Sequence, residues 1–209
     1  DCMQNDLFIM RREKSGFSNQ FDAQSDNGLR EIMLSTDPPY YDNISYADLS
    51  DFFYIWMRQS LKSTYPKLFR TMLVPKAEEL VATPYRFEGS SPKARDFFEN
   101  GMLNACRQLY IYAKNDVPVT IYYAYKQNDS DGDDEGGQQT ASTGWETMLS
   151  AVVKAGFIIT GTWPMRTECI SRATSLGTNA LASSIVLVCR KRPTNAPVST
   201  RRDFVATLK

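Results

Sequence analysis

Short apolar runs alternate with helix-spaced apolar positions along this chain. Four runs have the length and composition of buried strands, at residues 31–36, 117–125, 157–163 and 184–189. Apolar residues recur at helical spacing over residues 47–61 and again over residues 92–113, which predicts two amphipathic helices. Helices that alternate with buried strands indicate an α/β fold, and the helix that precedes the second run predicts a parallel crossover.

The chain between the second and third runs divides into a loop and a helix. Residues 127–141 are acidic and glycine-rich without a large apolar side chain, which predicts a flexible acidic loop. This stretch lacks the glycine and glutamate at the positions that an EF-hand requires, so a solvated loop is preferred to a calcium site. Thr143 and Glu146 then form a capping box, which predicts a helix that begins there and ends before Gly156.

Three further segments lack a clear period. Residues 1–30 are polar and irregular, residues 62–90 have the character of an inserted loop region, and residues 193–209 form a basic tail. One α/β domain over residues 31–192 is therefore expected, and a chain of 209 residues can bury one sizeable core.

Composition narrows the classes of chemistry. The 24 basic and 24 acidic residues balance, so any contact with nucleic acid must use a local basic patch. The four cysteines form no Cys-x-x-Cys pair and the chain has no histidine, which argues against a zinc site and removes the commonest general base. No signal peptide and no membrane-spanning apolar run is evident, so a cytoplasmic protein with free thiols, away from membranes, is predicted.

The motif that carries chemistry is Asp37-Pro38-Pro39-Tyr40, directly after the first predicted strand. Two prolines cannot continue a hydrogen-bonded ladder, so the chain must leave the sheet there in a stiff turn. In α/β sheets ligands bind beyond the carboxyl ends of strands. The alternative is an ordinary turn, because aspartate and proline are favoured turn residues.

The same four residues suit the methylation of an exocyclic amine. The Asp37 carboxylate and the Pro38 carbonyl would accept hydrogen bonds from the two amine hydrogens, and the prolines would hold both acceptors fixed. Tyr40 would stack on a base extruded from the duplex. Four neighbouring residues are further candidates for the base pocket: Tyr41, Asp42, Asn43 and Tyr46. For Asp42 and Asn43 the alternative is that they only form the turn.

The stretch STDPPYYDNISYADLSDFFYIW at residues 35–56 closely resembles the large prokaryotic adenine-specific DNA methylases that carry an uncharacterised N-terminal domain. The likeness continues through residues 83–87, 140–148, 161–168 and 177–184. It implies a Rossmann-like methyltransferase fold, S-adenosylmethionine as donor, and the amine-binding role of Asp37, Pro38, Pro39 and Tyr40. By resemblance, the four predicted strands are the second half of a seven-stranded sheet.

The chain departs from that family at the cofactor site. Family members carry a glycine-rich loop before the catalytic motif, and none of the eleven glycines here forms one. Thr36 and Asp37 remain as the residues expected to face the cofactor, whose main binding motif must come from a missing N-terminal half. Half a sheet also leaves an exposed edge, which predicts self-association.

Three residues near the carboxyl end of the chain are candidates for phosphate or base contacts: Arg166, Arg172 and Asn179. Solvated surface side chains are the alternative for them. The first functional hypothesis is the catalytic half of a DNA adenine amino-methyltransferase that uses S-adenosylmethionine and acts in restriction, epigenetic marking or phage defence. The others are a non-catalytic nucleic-acid-binding or assembly fragment, and an RNA or protein amine methyltransferase.

Overall fold

The computed structural model describes residues 16–42, 44–124, 135–165, 184–197 and 200. These residues form an α/β fold of four strands, three α-helices and one 3-10 helix. The elements in chain order are β1 Ser35–Thr36, α1 Tyr46–Leu61, the 3-10 helix Pro84–Phe87, α2 Ser91–Tyr112, β2 Val119–Ala124, α3 Glu135–Lys154, β3 Phe157–Met165 and β4 Ser184–Lys191.

The strands form one open mixed sheet in the order β1-β2-β4-β3. β1 pairs in parallel with β2, as the predicted crossover requires, and β4 is inserted antiparallel to both β2 and β3. It follows that β1, β2 and β3 all point the same way. Their carboxyl ends therefore lie on the same side of the sheet. These ends include Thr36, the residue before Asp37, and Met165 at the end of β3.

The first strand is shorter than the sequence predicts. Of residues 31–36, Ser35 and Thr36 join the ladder, and Ile32 makes an isolated bridge to Ala113. Exposure alternates along this stretch, so the prediction of a buried strand was wrong for it. β1 lies at the end of the sheet, and its outer edge pairs with no strand in the described part of the chain. An edge position leaves alternate side chains in solvent.

One hydrophobic core lies between the sheet and the two longer helices. On β2, Val119, Ile121 and Tyr123 are buried, and they pack with Phe98 of α2 and Val152 of α3. Tyr122 points to the opposite face and is 37 % exposed. Helices α2 and α3 thus cover one face of the sheet, and the alternation of β2 aims its side chains at them.

The third helix begins earlier than predicted. Its backbone is helical from Glu135, so the interpretation of residues 127–141 as a loop was wrong for their second half, and residues 125–134 lie outside the described ranges. Thr143 is inside the helix and is not its cap. Residues 138–141 include glutamine and alanine, which favour helix and allow it to continue upstream of the capping box. The predicted end is confirmed, with Gly156 at φ +103 after Lys154.

Helix α1 has its polar side turned inward. Asp51, Tyr54 and Arg58 lie one helical turn apart and bind residues 71–76, an irregular part of the predicted insertion. The apolar side faces solvent, and its large side chains are 48–66 % exposed: Leu49, Phe52, Phe53, Trp56 and Met57. An amphipathic helix normally buries its apolar stripe, so this orientation is unusual.

Two further predictions concern free cysteines and membrane-spanning helices. Cys106 and Cys189 are free and buried in the core, as expected for a chain with reduced cysteines, while Cys2 and Cys169 lie outside the described residues. Among the helices that the structure describes, none combines the length and the apolar character needed to cross a membrane.

Candidate functional site

The Asp37-Pro38-Pro39-Tyr40 turn leaves the sheet at the carboxyl end of β1. The register places Thr36 opposite Ile121, and the Thr120 amide donates to the Leu34 carbonyl over 3.1 Å. Asp37 is exposed, whereas Pro38, Pro39 and Tyr40 are half-buried. The last ladder position therefore fixes where the turn begins, and the carboxylate that follows it faces solvent.

Tyr41 anchors the other end of the turn in the core. Its ring meets Phe98 edge-on with centroids 5.0 Å apart, and its carbonyl accepts a hydrogen bond of 2.7 Å from the Ala82 amide. Burial raises the pKa of the Tyr41 phenol, and the neighbouring Asp42 adds to this shift. A ring held in this way positions the turn, so its surroundings favour a supporting role over the predicted contact with a base.

Helix α3 approaches the turn at a glycine. A Cβ built on Gly144 would lie 2.9 Å from the Cβ of Tyr41 and 3.4 Å from the Tyr123 hydroxyl. Real Cβ atoms do not approach other atoms this closely, so a larger residue would push the helix away from Tyr41. The sequence assigns Gly144 only to a cap, because the close approach depends on two elements that are distant in the chain.

Tyr123 is a site residue that the sequence did not reveal. It is 3 % exposed on β2, and its hydroxyl donates to the Gly144 carbonyl over 3.4 Å. Burial raises the pKa of Tyr123 to about 12, and Asp42, Tyr40 and Tyr41 add to the shift. Its phenol is therefore neutral at pH 7 and lies behind the turn. An aromatic residue in a β-branched run indicates only a strand.

The remaining predicted residues are less closely assembled. Tyr46 is the first residue of α1 and is 47 % exposed, and Asp42 is half-buried beside the turn. Thr36 carries a buried Oγ1 without a hydrogen-bond partner in the described part of the structure. Four predicted residues lie outside the described ranges: Asn43, Arg166, Arg172 and Asn179.

An ion-pair cluster fixes α1 beside the turn. Arg86 binds Asp48 over 2.9 Å and Glu79 over 2.7 Å, while Glu79 accepts from the Ala47 amide over 3.0 Å. Burial alone would lower the pKa of Arg86, but hydrogen bonds to Asp48, Tyr85 and Glu79 raise it above its ordinary value. Because it accepts from the Ala47 amide in the first turn, Glu79 caps the start of α1. The side chain of Ser45, the residue before the helix, makes no cap hydrogen bond.

We expect Arg86→Met to loosen this cluster. The substitution leaves the largely buried Glu79 without its cation, which should lower the free energy of unfolding by about 1–2 kcal/mol. Urea denaturation measures this loss, and limited proteolysis should cut residues 62–90 faster. Lys93→Met is the control, because its ion pair with Glu88 is exposed and should contribute less than about 0.5 kcal/mol. Equal losses in the two variants would contradict the assigned role of Arg86.

The groove between α2 and α3 is separate from the turn. It encloses about 330 Å³ and is lined mainly by polar and charged residues, including Arg95, Glu99 and Lys154. None of the residues predicted for the site lines it. Within the described ranges, no group of three or more acidic or cysteine residues is arranged to hold a metal ion.

No protein family, curated protein or solved structure matches this chain. The resemblance to adenine-specific DNA methylases therefore stays a prediction.

Proposed function

We propose that this chain carries the base-binding part of a DNA amino-methyltransferase that acts on N6 of adenine, within a Rossmann-like fold and in the cytoplasm. The observation that carries the proposal is the position of the Asp37-Pro38-Pro39-Tyr40 turn at the carboxyl end of β1, beside the parallel strand β2. This is where α/β sheets bind ligands. The support from Tyr41, Gly144 and Tyr123 favours a turn of fixed shape.

A fixed turn suits the chemistry of an exocyclic amine. The nitrogen lone pair is delocalised into the base, and acceptors aimed at both amine hydrogens draw the nitrogen towards tetrahedral geometry. Asp37 would supply a carboxylate oxygen and Pro38 a backbone carbonyl, while Tyr40 would stack on the extruded base. Such acceptors stabilise the transition state without a strong base, which suits a chain without histidine.

The described residues supply only part of a binding site for the methyl donor. S-adenosylmethionine supplies the methyl group in reactions of this class. Among the described residues, the buried Thr36 Oγ1 next to the exposed Asp37 has no hydrogen-bond partner, and a bound group could satisfy it. The glycine-rich loop that would hold the donor is not among the eleven glycines of the sequence. The proposal therefore assigns this chain the acceptor side of the reaction.

The test is methyl transfer to unmethylated genomic DNA at millimolar S-adenosylmethionine, with the methylated nucleosides identified by mass spectrometry. We expect N6-methyladenine, and we expect Asp37→Ala to reduce the rate of its formation by about 10²–10³-fold, the size of effect seen when one hydrogen bond to a transition state is removed. Asp116→Ala is the control, because this aspartate is exposed in the loop before β2 and pairs with Lys114. Unchanged activity in Asp37→Ala would remove Asp37 from the reaction.

The same assay separates the second candidate function, a non-catalytic nucleic-acid-binding or assembly fragment. The missing glycine-rich loop favours this candidate. No methylated base at millimolar donor, with weak or absent donor binding in isothermal titration, would support it. Micromolar donor binding by the chain alone would contradict it. Replacing DNA with RNA or a protein mixture tests the remaining substrates.

A further inference from the structure

We infer that Gly144 of α3 and Tyr123 of β2 are positioning residues for the Asp37-Pro38-Pro39-Tyr40 turn, an inference that rests on the proposed function. Both residues are buried, so they act through the turn and not by contact with the base. Gly144 sets how closely α3 approaches Tyr41, the residue that follows the turn. Tyr123 fixes the place of Gly144 against the sheet.

Gly144 lies near the middle of α3, where glycine is the least favourable residue after proline. The close approach to Tyr41 explains its presence there. A Cβ built on Gly144 would lie 2.9 Å from the Tyr41 Cβ, whereas carbon atoms in contact are about 3.5–4.0 Å apart. The Tyr41 Cβ is attached to the backbone and cannot rotate away. A side chain at position 144 would therefore displace either α3 or the end of the turn by about 1 Å.

Gly101 of α2 is a second helical glycine, and it makes a different kind of contact. A Cβ built there would meet the Leu80 Cδ1 and would lie 3.2 Å from the Gln24 Oε1. Both atoms are at the ends of flexible side chains, which can rotate without moving the backbone. Gly101 therefore shares the helical setting and the close packing of Gly144 but not its contact with the turn.

Tyr123 holds the backbone of α3 at Gly144. Its hydroxyl donates to the Gly144 carbonyl over 3.4 Å, and its ring stacks on Trp145 with centroids 5.9 Å apart. Tyr123 is itself fixed in the sheet, since it pairs with Ile185 of β4 and is 3 % exposed. The helix is thereby fixed to the sheet at the residue that approaches Tyr41.

The turn is fixed at both ends, and its two acceptors lie between them. The pairing of Thr36 with Ile121 fixes the start, and the packing of Tyr41 fixes the end. Moving the Tyr41 end would re-aim the Asp37 carboxylate and the Pro38 carbonyl relative to the amine. A misplacement of about 1 Å can slow a reaction about 10²-fold. We therefore expect such a displacement to lower the rate of methyl transfer and to leave the affinity for DNA unchanged.

The test is steady-state methyl transfer to DNA at millimolar S-adenosylmethionine. Gly144→Ala should lower kcat by about 10–10²-fold and leave KM for DNA within about twofold, because it misplaces groups that act in the transition state. Gly101→Ala is the matched control and should leave both constants within about twofold. Tyr123→Phe keeps the ring and removes the hydroxyl, so it should lower kcat by about three- to tenfold. Its matched control is Tyr122→Phe, on the opposite face of β2.

The double variant Tyr123→Phe/Gly144→Ala tests whether Tyr123 acts through Gly144. Its kcat should equal that of Gly144→Ala, because the hydroxyl has no further effect once α3 is displaced. Effects that multiply would overturn the role of Tyr123. An unchanged kcat in Gly144→Ala, or an equal loss in Gly101→Ala, would overturn the role of Gly144. Circular dichroism excludes loss of the fold, and if Gly144→Ala does not fold, Tyr123→Phe against Tyr122→Phe decides.

The position of the turn can also be measured without methyl transfer. Labelling with 3-fluorotyrosine gives fluorine resonances, and those of Tyr40 and Tyr41 are assigned with Tyr40→Phe and Tyr41→Phe. Gly144→Ala should shift both resonances, and Gly101→Ala should leave them unchanged. Unshifted resonances in Gly144→Ala would overturn this inference alone, whatever the rate of methyl transfer. Shifted resonances in a chain that never methylates DNA would overturn the proposed function alone.

Discussion

Phe98→Ala is expected to lower the free energy of unfolding by about 3–5 kcal/mol, as the removal of a fully buried phenylalanine does. Phe98 is 0 % exposed at the centre of the core, and its ring supports Tyr41 at the end of the turn. The substitution opens a cavity directly behind Tyr41. Urea denaturation followed by circular dichroism measures the loss.

Phe97→Ala is the matched control for this prediction. Phe97 is the preceding residue of α2 and is half-buried, packing against Phe87 of the 3-10 helix. Its loss should cost clearly less, because a partly exposed site leaves a smaller cavity. If the two variants are equally stable, the core assigned to Phe98 is wrong. If Phe98→Ala is folded at low temperature, its methyl transfer should fall more than that of Phe97→Ala.

The second large effect is a loss of stability at alkaline pH. Burial raises the pKa of the Cys106 thiol to about 12 and that of the Cys189 thiol to about 11, from an ordinary value of 9. Between pH 9 and 11 the unfolded chain releases these protons while the folded chain keeps them. The unfolded state then binds fewer protons, so stability falls as pH rises.

The expected loss is on the order of 5 kcal/mol between pH 9 and 11, because each unit of pH costs about 1.4 kcal/mol for each such group. Tyr123 contributes in the same direction above pH 10, since its pKa is raised to about 12. Thermal unfolding under reducing conditions at half-unit pH steps measures the effect. Cys106→Ala/Cys189→Ala should flatten the pH dependence, and a variant as alkali-sensitive as wild type would refute this account.

The sequence predicted most elements from local patterns. Helices α1 and α2 and strands β2 and β4 lie within about two residues of their predicted ends, because amphipathic spacing and β-branched runs are local properties. The predicted start of α3 was wrong because a capping box marks the start of a helix only if the preceding residues cannot remain helical. The first strand was overestimated because pairing depends on the partner strand.

The candidate site was predicted less completely. The turn and its place after a strand follow from Asp37 and the two prolines, since proline cannot continue a ladder. The support behind the turn could not be predicted, because Tyr41, Phe98, Tyr123 and Gly144 meet from four separate segments. Contacts between distant segments leave no periodic trace in the sequence.

The sequence by itself determined an α/β chain with a stiff Asp-Pro-Pro-Tyr turn, because helix and strand periods and the chemistry of proline act over a few residues. Only the tertiary structure decided which way α1 faces and what holds the turn. Asp51, Tyr54 and Arg58 find their partners in residues 71–76, and these polar contacts turn the apolar stripe of α1 to solvent. An amphipathic pattern specifies two faces of a helix, and the partners available in the fold decide which of them is buried.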